Sequence, residues 1–423
     1  MSVRAGVIVT GTEVLSGRII DRNGGWVAGR LRELGVDVGH VTVCGDRPDD
    51  LVAQLRFLVA EGVDLIVTTG GLGPTADDLT VATVAGFCGR PVAVDPALEA
   101  DITGILRRWR RLDDDAPLPD SLAAAIGKQS VVPAGATPVA PTGTAPGMAI
   151  PAADGLPAML ILPGPPRELQ AMWPAALAAE PIAAALADRD EVTHASIRAY
   201  GLTEAELAET LRRAEHDVDE FSRLEITTCM RDGEVEIDTR FPTAAAAAYT
   251  ELKALLRRAH GRQLFAPDGE TLDELLAAAL DGRTIATAES CTGGMVAARL
   301  TDRAGSSSYL LGGIVSYANS VKTGVLGVPG ALIDELGAVS EPVAGAMADG
   351  ACRVTGADVA VATSGIAGPG GAVPGKPVGT VCFGLAVAGR PTRTVTRVFP
   401  GDRAMVRTLA TTYALHLVLD ALR

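Results

Sequence analysis

Thr287-Ala288-Glu289-Ser290-Cys291-Thr292-Gly293-Gly294 is the stretch from which the fold of this chain is best read. It follows a short apolar run, Arg283 to Ala286, that reads as a buried strand. It precedes Met295 to Leu300, whose composition favours helix. A strand-to-helix turn projects small polar side chains at the open end of a sheet. Its two glycines let a ligand approach the backbone and leave the first N–H groups of the helix free for an anion. A hydroxyl and a thiol stand side by side in it. The plainer reading is that Ser290 or Thr292 caps the helix.

The same alternation opens the chain. Val3 to Thr10 reads as a strand, Asn23 to Leu34 as a helix, Val36 to Val43 as a strand, Asp49 to Glu61 as an amphipathic helix and Asp64 to Thr69 as a third apolar run. This βαβαβ rhythm predicts an α/β, doubly wound parallel sheet with ligands beyond the carboxyl ends of its strands. The third strand runs into Gly70-Gly71-Leu72-Gly73-Pro74-Thr75-Ala76-Asp77-Asp78-Leu79-Thr80, whose glycines make an anion cradle. Asp77 and Asp78 at its edge are the pair expected to hold a divalent metal that bridges phosphates. A capping box from Thr75 to Asp78 is the bland alternative. Glu13 and Asp46, at the ends of the first two strands, are expected to converge on the same edge. Thr142-Gly143-Thr144 is a further candidate lining of that cleft, and Arg107, Arg108, Arg110 and Arg111 read as a solvated helix face.

At 423 residues the chain exceeds one ordinary core. The expected domains are 1–172, a small α+β unit at 173–262, and an α/β unit at 263–423. The middle unit reads as βαββα, with a Thr203-to-Glu206 capping box and a hairpin across Arg231-Asp232-Gly233. Its His194, His216 and His260 read as ordinary surface or packing residues. No apolar run reaches membrane-spanning length, and the N-terminus enters a strand without a signal-peptide pattern, so a soluble cytoplasmic protein is expected. The six cysteines are widely spaced without CxxC, which fits reduced thiols. A formal charge of −14 disfavours nucleic acid and anionic membranes as partners, so small-molecule nucleotides would be held by backbone dipoles and a few cations.

Lysine is rare here: Lys128, Lys253, Lys322 and Lys376 are all there are. Lys322 follows Tyr317-Ala318-Asn319-Ser320-Val321. With Asn319 as the helix N-cap, Lys322 stands at N3, against the helix dipole at a cost of about 0.3–1 kcal/mol, which favours its neutral amine. Ser364 to Thr380, with Gly365, Gly368, Gly370, Gly371 and Lys376, is too Gly-rich for a core and is expected to be an ordered ligand loop. The only histidine of the last third, His416, lies on an apolar helix face, which removes a Ser-His-Asp triad. Ser290, Lys322 and Tyr317 then form a Ser-Lys type hydrolase site, with Thr292, Gly293, Gly294 and Asn319 beside it and the oxyanion held by N–H groups near Gly293 or Gly365. Cys291 is the rival nucleophile.

Two resemblances add to this reading. Gly11-Thr12-Glu13, Asn23, Gly45-Asp46, the Thr68 to Thr80 stretch and Pro163-Gly164-Pro165-Pro166-Arg167-Glu168 resemble the molybdopterin-binding family of molybdenum-cofactor biosynthesis. That family usually has Asp where Thr12 stands, a departure that fits the offshoot at the front of CinA-type proteins. The offshoot implies metal-assisted hydrolysis of a nucleotide diphosphate such as ADP-ribose. Thr287 to Gly294, Tyr317 to Lys322 with Leu326-Gly327-Val328, Ala338 to Glu341, and Ser364 to Thr380 resemble the CinA C-terminal family. This implies cofactor-free deamidation of nicotinamide mononucleotide to nicotinate mononucleotide and ammonia. Similar proteins carry a KH-like middle domain. No GxxG loop is present, so a spacer or dimerisation role, and a homodimer, are expected in place of RNA binding. The rival readings are a non-catalytic, competence-associated nucleotide-binding partner and a molybdopterin-binding protein.

Overall fold

The computed structural model describes residues 3–113 and 117–423, and the chain divides into two compact units between Thr193 and His194. Both are mixed α/β structures.

In the first unit the strands run, from one edge, Asp37–Cys44, Arg4–Thr10, Leu65–Thr69, Ala158–Leu162, Gly147–Ile150 and Thr137–Val139. The first four are mutually parallel and the last two antiparallel, a doubly wound sheet as the βαβαβ rhythm requires. Alternation along each strand builds a core on each face. Val7, Leu65, Val67, Leu160 and Leu162 pack with helices Gly24–Glu33 and Pro166–Ala178, while Ile8, Ile66, Met159 and Ile161 pack with Pro48–Ala60 and Pro96–Arg110. Ile182 and Leu186, from the alanine-rich segment after Pro166–Ala178, are buried in the first of these cores.

The second unit holds two sheets. One has the order Glu225–Arg231, Glu234–Pro242, Val192–Tyr200 and Leu264–Ala266, backed by helices Glu204–Asp217 and Ala246–His260. The capping boxes Thr203–Glu206 and Thr271–Glu274 are both formed. Asp232 and Gly233 both take positive φ, as a two-residue hairpin turn demands. His260 is tied to the Thr210 hydroxyl at 2.7 Å, which fits its reading as a packing residue.

The other sheet has the order Leu310–Val315, Ile285–Glu289, Val359–Gly365, Thr380–Val387 and Arg393–Val398, the first three parallel and the rest antiparallel. Large side chains point to one face, where Ile285, Val359 and Val361 meet helix Arg403–Leu422. The other face carries Ala286, Ala288, Ala360 and Ala362 against helix Glu341–Thr355. The helix backbone lies close there: a Cβ on Gly384 would come within 2.1 Å of the Ala344 carbonyl oxygen. Small residues on both surfaces therefore set the spacing between helix and sheet.

Candidate active site

Ser290 stands immediately beyond the strand Ile285–Glu289, which lies between two parallel neighbours, and its N–H donates to Thr363 O at 2.9 Å. The chain turns through Gly293 and Gly294, both at positive φ, and enters helix Met295–Asp302. On the neighbouring strand the sequence leaves at Ser316 and re-enters a short helix, Asn319–Gly324. That helix delivers Lys322. Its Nζ lies 3.2 Å from Ser290 Oγ and donates to the carbonyls of Ser316 at 2.7 Å and Tyr317 at 3.2 Å.

Lys322 is 1% exposed, and burial pushes its pKa below the ordinary lysine value. Its hydrogen-bond partners are uncharged oxygens, so nothing there repays the cost of burying an ammonium. The sequence placed Asn319 at the N-cap. In the structure Ala318 holds that position in extended backbone, and Asn319 is the first helical residue and exposed. Lys322 is thereby one position further in. Tyr317 contributes its carbonyl to Lys322, while its hydroxyl meets Arg403 Nη2 at 3.1 Å.

Sequence reasoning passed over Glu289. This carboxylate is fully buried and accepts from Thr287 Oγ1 (3.1 Å), Thr292 Oγ1 (2.7 Å) and the N–H groups of Gly294 (2.8 Å), Val296 (3.1 Å) and Ala297 (2.9 Å). It closes the N-terminus of the helix from below, where the dipole favours an anion. The N–H of Gly293 is likewise spent, on Ser290 O at 3.2 Å. Gly293, one of the two glycines named for the oxyanion, therefore has no unused N–H. Thr292 is fully buried and bonded at 2.7 Å to Thr363, so it braces the turn and does not face a ligand.

Two arginines from helix Arg403–Leu422 were also missed. Arg407 donates to the carbonyls of Cys291 (3.1 Å) and Thr292 (3.0 Å), and Arg403 to Gly368 O (2.8 Å). In the Gly-rich loop, Gly365 and Gly368 are packed, while Gly370 and Gly371 are exposed and Lys376 Nζ donates to Leu336 O at 2.9 Å. Cys291 is 5% exposed, and burial pushes its thiol up to about 11.

In the first unit the strand ends surround a cavity of about 840 Å³. Glu13, Asn23, Asp46, Gly70, Gly71, Gly73, Asp77 and Asp78 all line it, as do Gln129, Thr144 and Glu168. Gly70 has φ +108°, and a Cβ there would meet Thr10 O at 2.4 Å, so only glycine fits the turn. Asp46 accepts from Thr12 N–H and Oγ1, both at 2.8 Å, and so holds the first loop in place. Asn23 spends its amide on Thr69 Oγ1 and Gly164 O, leaving its buried Oδ1 without a partner. Thr75 does not cap a helix. The helix begins at Thr80, and Thr75 donates through its hydroxyl to both Asp77 and Asp78, closing a turn outside it. That bond holds the Asp77 carboxyl below its ordinary range. Burial raises Glu168, whose carboxyl lies against Gly143.

Comparison with known proteins completes the picture. Residues 6–183 match the probable molybdopterin binding domain and residues 270–422 the CinA C-terminal domain. A CinA-like protein of Mycobacterium sp. (strain MCS) is 59% identical over 100% of both chains. The chain belongs to the CinA-like family. A CinA-like protein of Mycobacterium tuberculosis (strain ATCC 25177 / H37Ra) is 53% identical over 99% of this chain and 97% of its own. The crystal structure of the competence damage-inducible protein A (ComA) from Klebsiella pneumoniae subsp. pneumoniae MGH 78578 is 37% identical, covering 36% of this chain and 98% of its own at a TM-score of 0.35. In this CinA-like chain no described helix is long and apolar enough to cross a membrane. Among the described residues no three His, Cys, Asp or Glu side chains cluster to hold a metal ion.

Proposed function

We propose that the CinA C-terminal domain hydrolyses the amide of nicotinamide mononucleotide to nicotinate mononucleotide and ammonia. The observation that carries this reading is the 3.2 Å contact between Ser290 Oγ and the buried Lys322 Nζ. The neutral amine takes the seryl proton as Oγ attacks the amide carbon. Lys322 returns the proton to the departing nitrogen, the C–N bond breaks, and ammonia leaves an acyl ester on Ser290. Lys322 then takes a proton from water, which attacks the ester. The nicotinate carboxylate departs and Ser290 regains its proton. Nucleophile and base both come from the chain, so no cofactor takes part in these steps.

Ser290 is favoured over Cys291 because a thiol pushed up to about 11 and 5% exposed supplies little thiolate at neutral pH. Ser290→Ala is expected to abolish ammonia release from nicotinamide mononucleotide and Cys291→Ala to retain it. The opposite pattern overturns the serine assignment.

The cavity of the first unit favours a second activity, cleavage of a nucleoside diphosphate such as ADP-ribose. Asp77 and Asp78, joined by one hydroxyl, would hold a divalent cation at the edge of the cavity. When bound, such a cation neutralises phosphate charge. Gly70, Gly71 and Gly73 let the diphosphate approach the backbone, and Asp46 and Asn23 set the loops around it. Asp78→Asn is expected to lower magnesium-dependent cleavage of ADP-ribose at least about tenfold. Cleavage at the wild-type rate, or cleavage undiminished by chelator, overturns the metal assignment.

A further inference from the structure

Two arginines meet at the Ser290 turn, and each donates to neutral oxygens: Arg407 to the carbonyls of Cys291 and Thr292, and Arg403 to Gly368 O and the Tyr317 hydroxyl. In a chain of net charge −14, arginines without a carboxylate partner at one site are unusual. Glu289, the nearest acid in sequence, is fully buried, with its oxygens taken up by hydroxyl and N–H donors. The local field is therefore positive and the natural occupant is an anion.

The cations are not equivalent. Arg407 is half-buried and its fork is occupied by the turn it supports. Lys322 is buried and serves as the proton acceptor in its uncharged form, so it adds no charge to this field. Arg403 is exposed, and two neutral contacts fix its guanidinium without satisfying all five of its donors. Those contacts also fix its place. Tyr317 spans from the Lys322 amine, which its carbonyl touches, to Arg403, which its hydroxyl touches. Arg403 thus stands one tyrosine length from the reacting centre, on the side where the Gly-rich loop begins.

We infer that Arg403 is the residue that recognises the substrate's phosphate, and so makes the site select a nucleotide over the corresponding nucleoside. This rests on the amidase reading above. A guanidinium already oriented by two contacts offers its remaining N–H pair to a phosphate bidentately, at little further entropic cost. The phosphate lies away from the bond that breaks, so its loss is expected mainly in KM.

The test compares nicotinamide mononucleotide with nicotinamide riboside as substrates of the full-length protein, measuring ammonia release by wild type, Arg403→Ala and Arg403→Lys. Arg403→Ala is expected to raise KM for the nucleotide about 10- to 100-fold with little change in kcat. Its kcat/KM for the riboside should equal that of wild type, and Arg403→Lys should recover part of the nucleotide preference. Equal losses on both substrates mean that Arg403 only supports Gly368 and Tyr317, and overturn the inference. An unchanged nucleotide KM overturns it as well. A wild-type protein that turns over neither compound overturns the amidase reading together with this assignment, a result distinct from either of the others.

Discussion

Lys322→Met is expected to lower kcat for ammonia release about 100- to 10,000-fold, the range a positioned general base contributes, with little change in KM. Methionine fills the space of the buried side chain, so the loss is read as lost proton transfer and not as a cavity. Lys322→Arg is the sharper companion, because a guanidinium offers hydrogen bonds but does not release a proton at accessible pH. Activity at the wild-type rate in either variant would remove Lys322 from the mechanism.

The pH dependence follows from the same burial. The folded pKa of Lys322 lies below the ordinary 10.5, with desolvation the main cause. The thiolate of Cys291 opposes that shift, but the thiol titrates only at about 11 and is uncharged where Lys322 loses its proton. Between the folded and unfolded pKa the unfolded chain binds the extra proton, so stability rises with pH across that window. The rate should rise over the same window, because deprotonation produces the base. Wild type is therefore expected to gain both kcat/KM and urea midpoint on going from acid towards alkaline pH, and Lys322→Met to lack this lysine's share of the stability gain. A rate that falls as the pH is raised through this region would contradict a neutral amine as the acting form.

The second large effect is structural. Glu289→Ala is expected to destabilise the unit containing it by about 3–5 kcal/mol, since two hydroxyls and three main-chain N–H groups lose their common acceptor in a buried position. Glu289→Gln keeps the shape but turns an NH2 group towards N–H donors, so it should recover only part of the loss. Urea unfolding of both variants checks this, and a loss below about 1 kcal/mol for Glu289→Ala would show that water or a neighbouring group replaces the carboxylate.

The alternation of strand and helix, the two Gly-rich turns and the Ser290 and Lys322 pair could be read from the sequence because each is local. Glycines flank the turn that needs them, and a lysine six residues after Ser316, just past a strand end, reaches back to that edge. The gathering of Glu13, Asp46 and Asp77 with Asp78 was legible for the same reason, since parallel strands deliver their following loops to one side. Other features were not local. Arg407 meets Cys291 across 116 residues and Arg403 meets Tyr317 across 86, contacts that no spacing rule anticipates. Glu289 was hidden because its donors assemble only after the chain reverses at Gly293 and Gly294. The Asn319 and Thr75 readings each followed a good capping residue type, but in both places the backbone set the helix start elsewhere.

His416, near the end of helix Arg403–Leu422, is buried, stacks on Tyr200 at 3.8 Å and meets Glu234 Oε1 at 2.7 Å across 182 residues. The strands carrying Tyr200 and Glu234 leave the ribosome long before that imidazole has been synthesised. Until it arrives, the acid on the middle sheet faces water, and Arg403 and Arg407 are not yet in place above the Ser290 turn. The growing chain therefore carries Ser290 and Lys322 before Arg403 and Arg407 can join them. Any chemistry at the Ser290 turn should therefore await synthesis of helix Arg403–Leu422.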